Sequence, residues 1–202
     1  MGSSKAITGS AAITNAVRAS GQDQLILLTA TVKIVGPDGG EREAILFADN
    51  GSQRSFVLQN NSKDLNLNFI KKELISVRVF KGENESEPEL TNLVQVSVRG
   101  HWQGAPTINL EALESKVITD VGPYMQTEFA NQLWLQSEQL ADERHDRPWK
   151  QYEVGLLIGQ DKWNEFFPNE VAIQSPCGLR AYRSNVGRMI GGPSKEISSK
   201  DS

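Results

Sequence analysis

Residues 44–52 read AILFADNGS, so five apolar residues run directly into an acidic turn that contains glycine. An apolar run that stops at Asp, Asn, Gly and Ser is typical of a buried β-strand ending in a tight loop. The run LILLTATVKIV at 25–35 comes before it, and GPDGG at 36–40 separates the two. Proline presets its φ angle and glycine supplies a positive one, so this separation predicts the turn of a β-hairpin.

A second apolar run, VGLLI at 154–158, leads into GQD at 159–161. A short apolar segment of this kind is typical of a buried strand. Trp163 and Phe166 follow at helical spacing and predict a helix. We therefore interpret Asp161 as a structural residue that caps this helix.

Several further segments carry the alternation of half-buried strands. Segments 74–80 and 93–98 alternate on either side of the polar stretch 81–88, which predicts a long hairpin with a polar tip. Other strands are predicted at 55–58, as a pair at 107–113 and 116–118, and as a hairpin over 178–192 that turns at 184–187.

One helix is predicted between residues 127 and 143, where Phe129, Leu133, Trp134 and Leu140 fall near helical spacing without Pro or Gly. Residues 1–22 are rich in Ser, Ala, Gly and Thr without a sustained period, and we expect a disordered tail there. A second disordered tail is expected at 195–202. The domain prediction is therefore a single folded domain over 23–194.

Composition narrows the classes of function. The net charge is −4 and the pI is about 5.3, and no Lys/Arg block forms a stripe that could follow a phosphate backbone, so we expect no nucleic-acid partner. No apolar run approaches the roughly 18 residues of a bilayer span, and the start lacks the apolar stretch of a secretory signal. We expect an intracellular, cytoplasmic protein with no membrane partner. Cys177 is the lone cysteine and only two histidines occur, so a metal site has few ligands to draw on and we expect none.

The two apolar-acidic segments resemble the active-site elements of retropepsins, the retroviral type of aspartic protease. AILFADNGS resembles the strand and Asp-Ser/Thr-Gly loop of that family, and LLIGQD resembles the strand and helix start that pack beneath the loop. The polar-tipped hairpin lies between them in sequence, where the family has its flap.

Further motifs narrow the resemblance to the aspartic protease domain of BEL/Pao-type retrotransposon polyproteins. They are GSQRSF at 51–56, LIGQD at 157–161 with Trp163, and Gly178-Leu179-Arg180 followed by Ser184, Gly187 and Gly192-Pro193. The resemblance covers about residues 25 to 193.

The resemblance implies a mainly β, retropepsin-like closed barrel of the acid-protease fold, with the helix of 127–143 inserted before the LLIG strand. It assigns catalysis to Asp49, with Asn50, Gly51 and Ser52 shaping the active-site loop. Flap and substrate-binding residues would be Phe80, Lys81, Gly82 and Glu83, and the supporting motif would be Leu157, Ile158, Gly159 and Asp161. The expected activity is cleavage of an extended peptide within a Gag-Pol polyprotein, including inside virus-like particles.

Aspartic proteases need two carboxylates that share one proton, because like charges about 3 Å apart cannot both ionise. The chain offers one convincing loop of this kind. The nearest second candidate, DVGP at 120–123, has Val where a hydroxyl is needed and Pro where an N–H is needed, so we interpret it as an ordinary turn. One loop per chain predicts a homodimer in which Asp49 meets the Asp49 of the partner copy.

Asn50 occupies the position that is Ser or Thr in active relatives. The longer, planar amide favours a second hypothesis, in which a domesticated protease fold has lost catalysis and acts as a dimerisation or peptide-binding scaffold. A third reading is a β-rich adaptor without protease ancestry, in which Asp49 only bonds its own backbone in a turn.

Overall fold

Twelve β-strands and a few short helices make up the described part of the chain, so the protein is mainly β. The structure, a computed structural model, describes residues 23–76, 88–122, 140–142, 151–168, 172–176 and 178–195. The strands are β1 (Asp23–Ile26), β2 (Thr29–Val35), β3 (Glu41–Ala48), β4 (Phe56–Leu58), β5 (Phe69–Ile75), β6 (Glu89–Gly100), β7 (Thr107–Ser115), β8 (Asp120–Val121), β9 (Tyr152–Ile158), β10 (Ile173–Gln174), β11 (Arg180–Ser184) and β12 (Gly187–Lys195). The helices are α1 (Gln59–Asp64), a 3-10 helix (Gln160–Lys162) and α2 (Trp163–Phe166). None of these described helices is long and apolar enough to cross a membrane.

Six strands close into a barrel in the order β2-β3-β9-β4-β7-β6, and β6 pairs back to β2. The β3–β9 and β4–β7 pairs are parallel, and the other four pairs are antiparallel. The barrel is therefore mixed and closed, which confirms the predicted closed β-barrel.

Alternate side chains of the barrel strands fill its interior. On β2, Ala30, Val32 and Ile34 are fully buried, and they belong to one core cluster with Leu46 of β3 and Leu156 of β9. Burying a Val, Leu or Ile side chain stabilises the fold by about 1.5–3 kcal/mol. The alternation that predicted the strand thus also supplies its packing.

The turn between β2 and β3 has the predicted geometry. Gly36 N–H donates to the Gly40 carbonyl at 2.8 Å, and Gly39 has a φ of +84°, which L side chains rarely adopt. The strands pair from Thr29 opposite Phe47 to Val35 opposite Glu41. This confirms the predicted hairpin that leads into the acidic loop.

The apolar run at 25–35 does not form one strand. β1 pairs with β12 in a four-stranded sheet of order β1-β12-β11-β10, whereas β2 belongs to the barrel. Ala48 N–H donates to the Leu28 carbonyl at 2.9 Å. This bond attaches the segment between β1 and β2 to the last residue of β3. A uniformly apolar run gives no signal for such a change of sheet.

The β11–β12 pair confirms the hairpin predicted over 178–192. Ser184 is opposite Gly187, whose φ of +109° lets the chain reverse there. The short helix predicted after residue 161 is also confirmed, because Trp163 and Phe166 belong to α2 and are buried.

The long hairpin is confirmed in its stem only. β5 and β6 pair antiparallel, but β5 spans Phe69–Ile75 and so starts before the predicted 74–80. Residues 77–87 lie outside the described residues, and so do the predicted flap residues Phe80, Lys81, Gly82 and Glu83.

Two other predictions were wrong in their described parts. The strand predicted at 116–118 does not form: β7 continues to Ser115, whose hydroxyl donates to the Val117 carbonyl at 2.6 Å and bends the chain. In the predicted helix 127–143, the described residues 140–142 are not helical, because Leu140 forms a parallel bridge with Arg188. The remainder of that helix lies outside the described residues.

Candidate active site

The barrel brings together the two segments singled out in the sequence. β3 and β9 lie parallel, with Phe47 opposite Leu157 and Ala48 opposite Ile158. Directly after β3, Asp49 N–H donates to the Ile158 carbonyl at 2.9 Å. The acidic loop is therefore attached to the end of the LLI strand by a backbone hydrogen bond, although more than a hundred residues separate the two in sequence.

The loop turns tightly around the Asp49 carboxylate. Gly51 N–H donates to Asp49 Oδ1 at 2.9 Å, and Ser52 N–H donates to the Asp49 carbonyl at 3.1 Å. A Cβ at position 51 would lie 3.1 Å from Asp49 Oδ1, so glycine allows this close approach. Asp49 is partly exposed and Asn50 is exposed. The carboxylate is thus oriented by the backbone while solvent can reach it.

Ser55 connects the loop to the chain that follows β9. Its hydroxyl donates to Asp161 Oδ1 at 2.7 Å and accepts from Gly159 N–H at 3.0 Å. Ser55 is 1 % exposed, so these bonds satisfy a hydroxyl that would otherwise be costly to bury. In the sequence, Ser55 belongs to the GSQRSF motif and to the strand predicted at 55–58, and neither signal indicates this role.

The helix-capping role predicted for Asp161 is wrong. The N-cap of the 3-10 helix is Gly159, and no side chain caps it. Asp161 lies inside the first turn, where its carboxylate reaches Ser55 instead. The Asp161 carboxylate therefore bonds the segment that follows the acidic loop and not its own helix.

Gly159 lies against the backbone of the loop. A Cβ there would fall 2.5 Å from the Arg54 carbonyl oxygen and 2.9 Å from the Ser52 carbonyl oxygen. Gln160 N–H donates to that Ser52 carbonyl at 2.8 Å. Gly159 has an ordinary extended φ of −92°, so it is needed here for space and not for backbone freedom.

Arg54 carries the charge interactions beside the loop. Its Nη1 lies 2.8 Å from Glu73 Oε2 on β5, and its Nε lies 3.5 Å from Asp161 Oδ2. Hydrogen bonds from Arg54 and then Lys71 lower the pKa of the Glu73 carboxyl below its usual 4.5. Neither Arg54 nor Glu73 was identified from the sequence, because nothing local to 54 or 73 signals a contact between them.

The structure therefore gathers most of the predicted site residues in one place. Those brought together are Asp49, Asn50, Gly51, Ser52, Leu157, Ile158, Gly159 and Asp161. Within the described ranges, no group of three or more His, Cys, Asp or Glu side chains could hold a metal ion. The chemistry available at this loop is that of a carboxylate, which can accept or donate a proton.

A scan against protein-family models finds no family that matches this chain, and a search of curated proteins finds no matching sequence. The geometry of the acidic loop and the motifs around it are therefore the features that point to a function for this chain.

Proposed function

We propose that this chain is a retropepsin-like aspartic endopeptidase of the BEL/Pao retrotransposon type. It hydrolyses peptide bonds in an extended segment of a Gag-Pol polyprotein, in the cytoplasm or in virus-like particles, and needs no cofactor. The observation that carries the proposal is the hydrogen bond from Asp49 N–H to the Ile158 carbonyl. It supports the acid-protease fold because it joins the acidic loop to the strand that this fold places beneath it.

The proposed chemistry uses Asp49 from two copies. An ionised Asp49 takes a proton from a water molecule, whose oxygen adds to the scissile carbonyl carbon. The protonated Asp49 of the other copy polarises the carbonyl oxygen. The C–N bond then breaks as the leaving amine takes the proton that the first Asp49 removed from water, while a hydroxyl of the tetrahedral intermediate returns a proton to the second Asp49 and becomes the carbonyl of the product acid. Gly51 N–H, which donates to Asp49 Oδ1 at 2.9 Å, keeps the carboxylate in a fixed orientation through these steps.

The homodimer follows from this chemistry, since one chain supplies one such loop. The ordinary turn predicted at 120–123 is wrong in its described part, because Asp120 and Val121 form strand β8 paired with β9. A position within a strand supports our interpretation that Asp120 does not belong to a second catalytic loop. The substrate would bind as an extended strand, because a sheet-rich site recognises peptides mainly through their backbone.

A second candidate function is a peptide-binding or dimerisation scaffold without catalysis. Asn50 is the observation that favours it, since its exposed amide stands where active relatives have a hydroxyl that braces the two loops. The fold and the loop geometry support this candidate equally well, so only activity separates the two.

The test is cleavage of a peptide library in mildly acidic buffer, because the proposed mechanism needs one protonated and one ionised carboxylate. The native chain is compared with Asp49→Asn, Asn50→Ser and Asp38→Asn. Asp38 is a matched control, because its Oδ1 accepts from Gly40 N–H just as Asp49 Oδ1 accepts from Gly51 N–H. The endopeptidase proposal expects cleavage by the native chain and the Asp38 variant, and none by Asp49→Asn. Cleavage by Asn50→Ser alone would support the scaffold.

A further inference from the structure

Arg54 contacts acidic side chains on two different elements. Glu73 lies on β5, and Asp161 lies in the 3-10 helix that follows β9. Arg54 itself belongs to the segment between the acidic loop and β4. One guanidinium therefore reaches a barrel-end helix on one side and the β5–β6 strand pair on the other.

The backbone of Arg54 is fixed at this position. Its carbonyl accepts from the Ser52 hydroxyl at 2.8 Å, and Gly159 packs so close that an added Cβ would lie 2.5 Å from the same oxygen. Arg54 is thus attached to a part of the barrel that cannot shift easily. If the contact between Arg54 and Glu73 breaks, the partner able to move is β5.

β5 is the less restrained partner because it is an edge strand in the described sheet. It pairs with β6, and the described strands provide no neighbour on its other side. Leu74 of β5 and Leu90 of β6, which are opposite each other, are 67 % and 57 % exposed. Little apolar burial holds this end of the strand pair, so a single charge contact can change its position.

The Arg54–Glu73 contact has the properties of an effective ion pair. The Glu73 side chain is 21 % exposed and that of Arg54 39 %, so solvent screens the pair less than it screens a fully exposed pair. Lys71 also contacts Glu73, at 3.0 Å, but it lies on the same strand. Lys71 can add to the charge balance but cannot connect β5 to another element.

We propose that Arg54 is a positioning residue that ties β5 to the acidic-loop segment through Glu73. It thereby controls how far the end of the β5–β6 pair beyond the barrel, residues 72–75 and 89–92, moves from the Asp49 loop. The ion pairs from Arg54 to Glu73 and to Asp161 are the evidence for this tie. Its use, to hold an extended peptide between the strand pair and the loop, rests on the proposed function.

The experiment is amide hydrogen exchange of β5 in the full chain, comparing Glu73→Gln, Arg54→Gln and the double variant. Each single substitution is expected to speed exchange of residues 69–75 by about threefold, the effect of losing a partly exposed ion pair. The double variant should exchange no faster than either single one, because both remove the same contact. Lys71→Gln, the matched control, should exchange at the native rate.

Two further measurements, a charge-conserving substitution and added salt, distinguish loss of the ion pair from general destabilisation of β5. Arg54→Lys should restore much of the protection, and about 1 M salt should bring native exchange close to that of Glu73→Gln. Exchange that is unchanged in both single variants, or equally fast in Lys71→Gln, would overturn the proposal. Hydrogen exchange is measured without any peptide cleavage. The proposal for Arg54 can therefore be refuted in a chain that is an active protease, and supported in a chain that is inactive.

Discussion

Ser55 and Asp161 are 106 residues apart in sequence, and the Ser55 hydroxyl donates to Asp161 Oδ1 at 2.7 Å. The same hydroxyl accepts from Gly159 N–H. Together with the bond from Asp49 N–H to the Ile158 carbonyl, it holds the acidic loop from two sides. The position of the Asp49 carboxylate therefore depends on contacts formed by the last residue of β9 and by the chain immediately after it.

Ser55→Ala should destabilise the fold by about 1–3 kcal/mol, because it leaves Gly159 N–H and Asp161 without the hydroxyl that pairs them. Denaturant unfolding measures this loss. The matched control is Ser97→Ala, whose hydroxyl donates to Asn109 at the surface and whose removal should change stability by at most about 0.5 kcal/mol. Equal losses in the two variants would show that the buried Ser55 bonds are not important.

Gly159→Ala should lower the free energy of unfolding by about 1–3 kcal/mol, because the methyl group would overlap the Arg54 and Ser52 carbonyl oxygens. Gly122→Ala is the control, since a Cβ there meets no atom of the described residues within 4 Å. Thermal or denaturant unfolding of both variants is the measurement. A Gly159 variant as stable as the Gly122 variant would mean that the loop does not pack closely on residue 159.

The stabilising effect of Glu73 should depend on pH. Arg54 first, and then Lys71, lower its pKa in the folded state. Because this pKa is lowered, ionised Glu73 stabilises the fold at pH values above its usual pKa of 4.5. That contribution is lost as the pH falls through the folded-state pKa. Native chain should therefore have a larger free energy of unfolding than Glu73→Gln at pH 7, and this difference, the gap between the two chains, should shrink below pH 4.5. A gap that stays constant across this range would contradict the assigned ion pair.

Asn50→Ser should raise kcat/KM for peptide cleavage by about tenfold or more, equivalent to about 1.4 kcal/mol of transition-state stabilisation. The shorter hydroxyl can bridge the two loops of a dimer where the planar amide fits less well. Steady-state kinetics with one cleaved peptide measures the change. A lower rate in the Ser variant would indicate that Asn50 is adapted to this loop.

The sequence predicted the local elements of the site well, for physical reasons. The hairpin turn at 36–40 needs glycine and proline at fixed places, and the apolar runs before Asp49 and Gly159 can hardly be anything but buried strands. These signals depend only on residues close together in sequence, so a single sequence is enough to detect them. They indicated the strands and the hairpin turn, whereas the closed barrel with the acidic loop beside the LLIG strand was implied by the resemblance to retropepsins.

Contacts between distant segments were not predictable in the same way. Nothing near Arg54 indicates that its partner is Glu73, and nothing near Ser55 indicates Asp161, because such pairs depend on strand register across the barrel. The break at Leu28 was missed for a related reason. Apolar residues on both sides of it satisfy a barrel strand and an outer-sheet strand equally well.

The central claim, that two copies each supply Asp49 to one active site, is tested most directly by mixing native chain with Asp49→Asn and letting the subunits exchange. In an equal mixture, the account predicts that cleavage at constant total protein falls to about one quarter of the native rate, because only native–native dimers carry both carboxylates. A fall to about one half, as expected for sites contained within single chains, or no cleavage by the native chain alone, would contradict it.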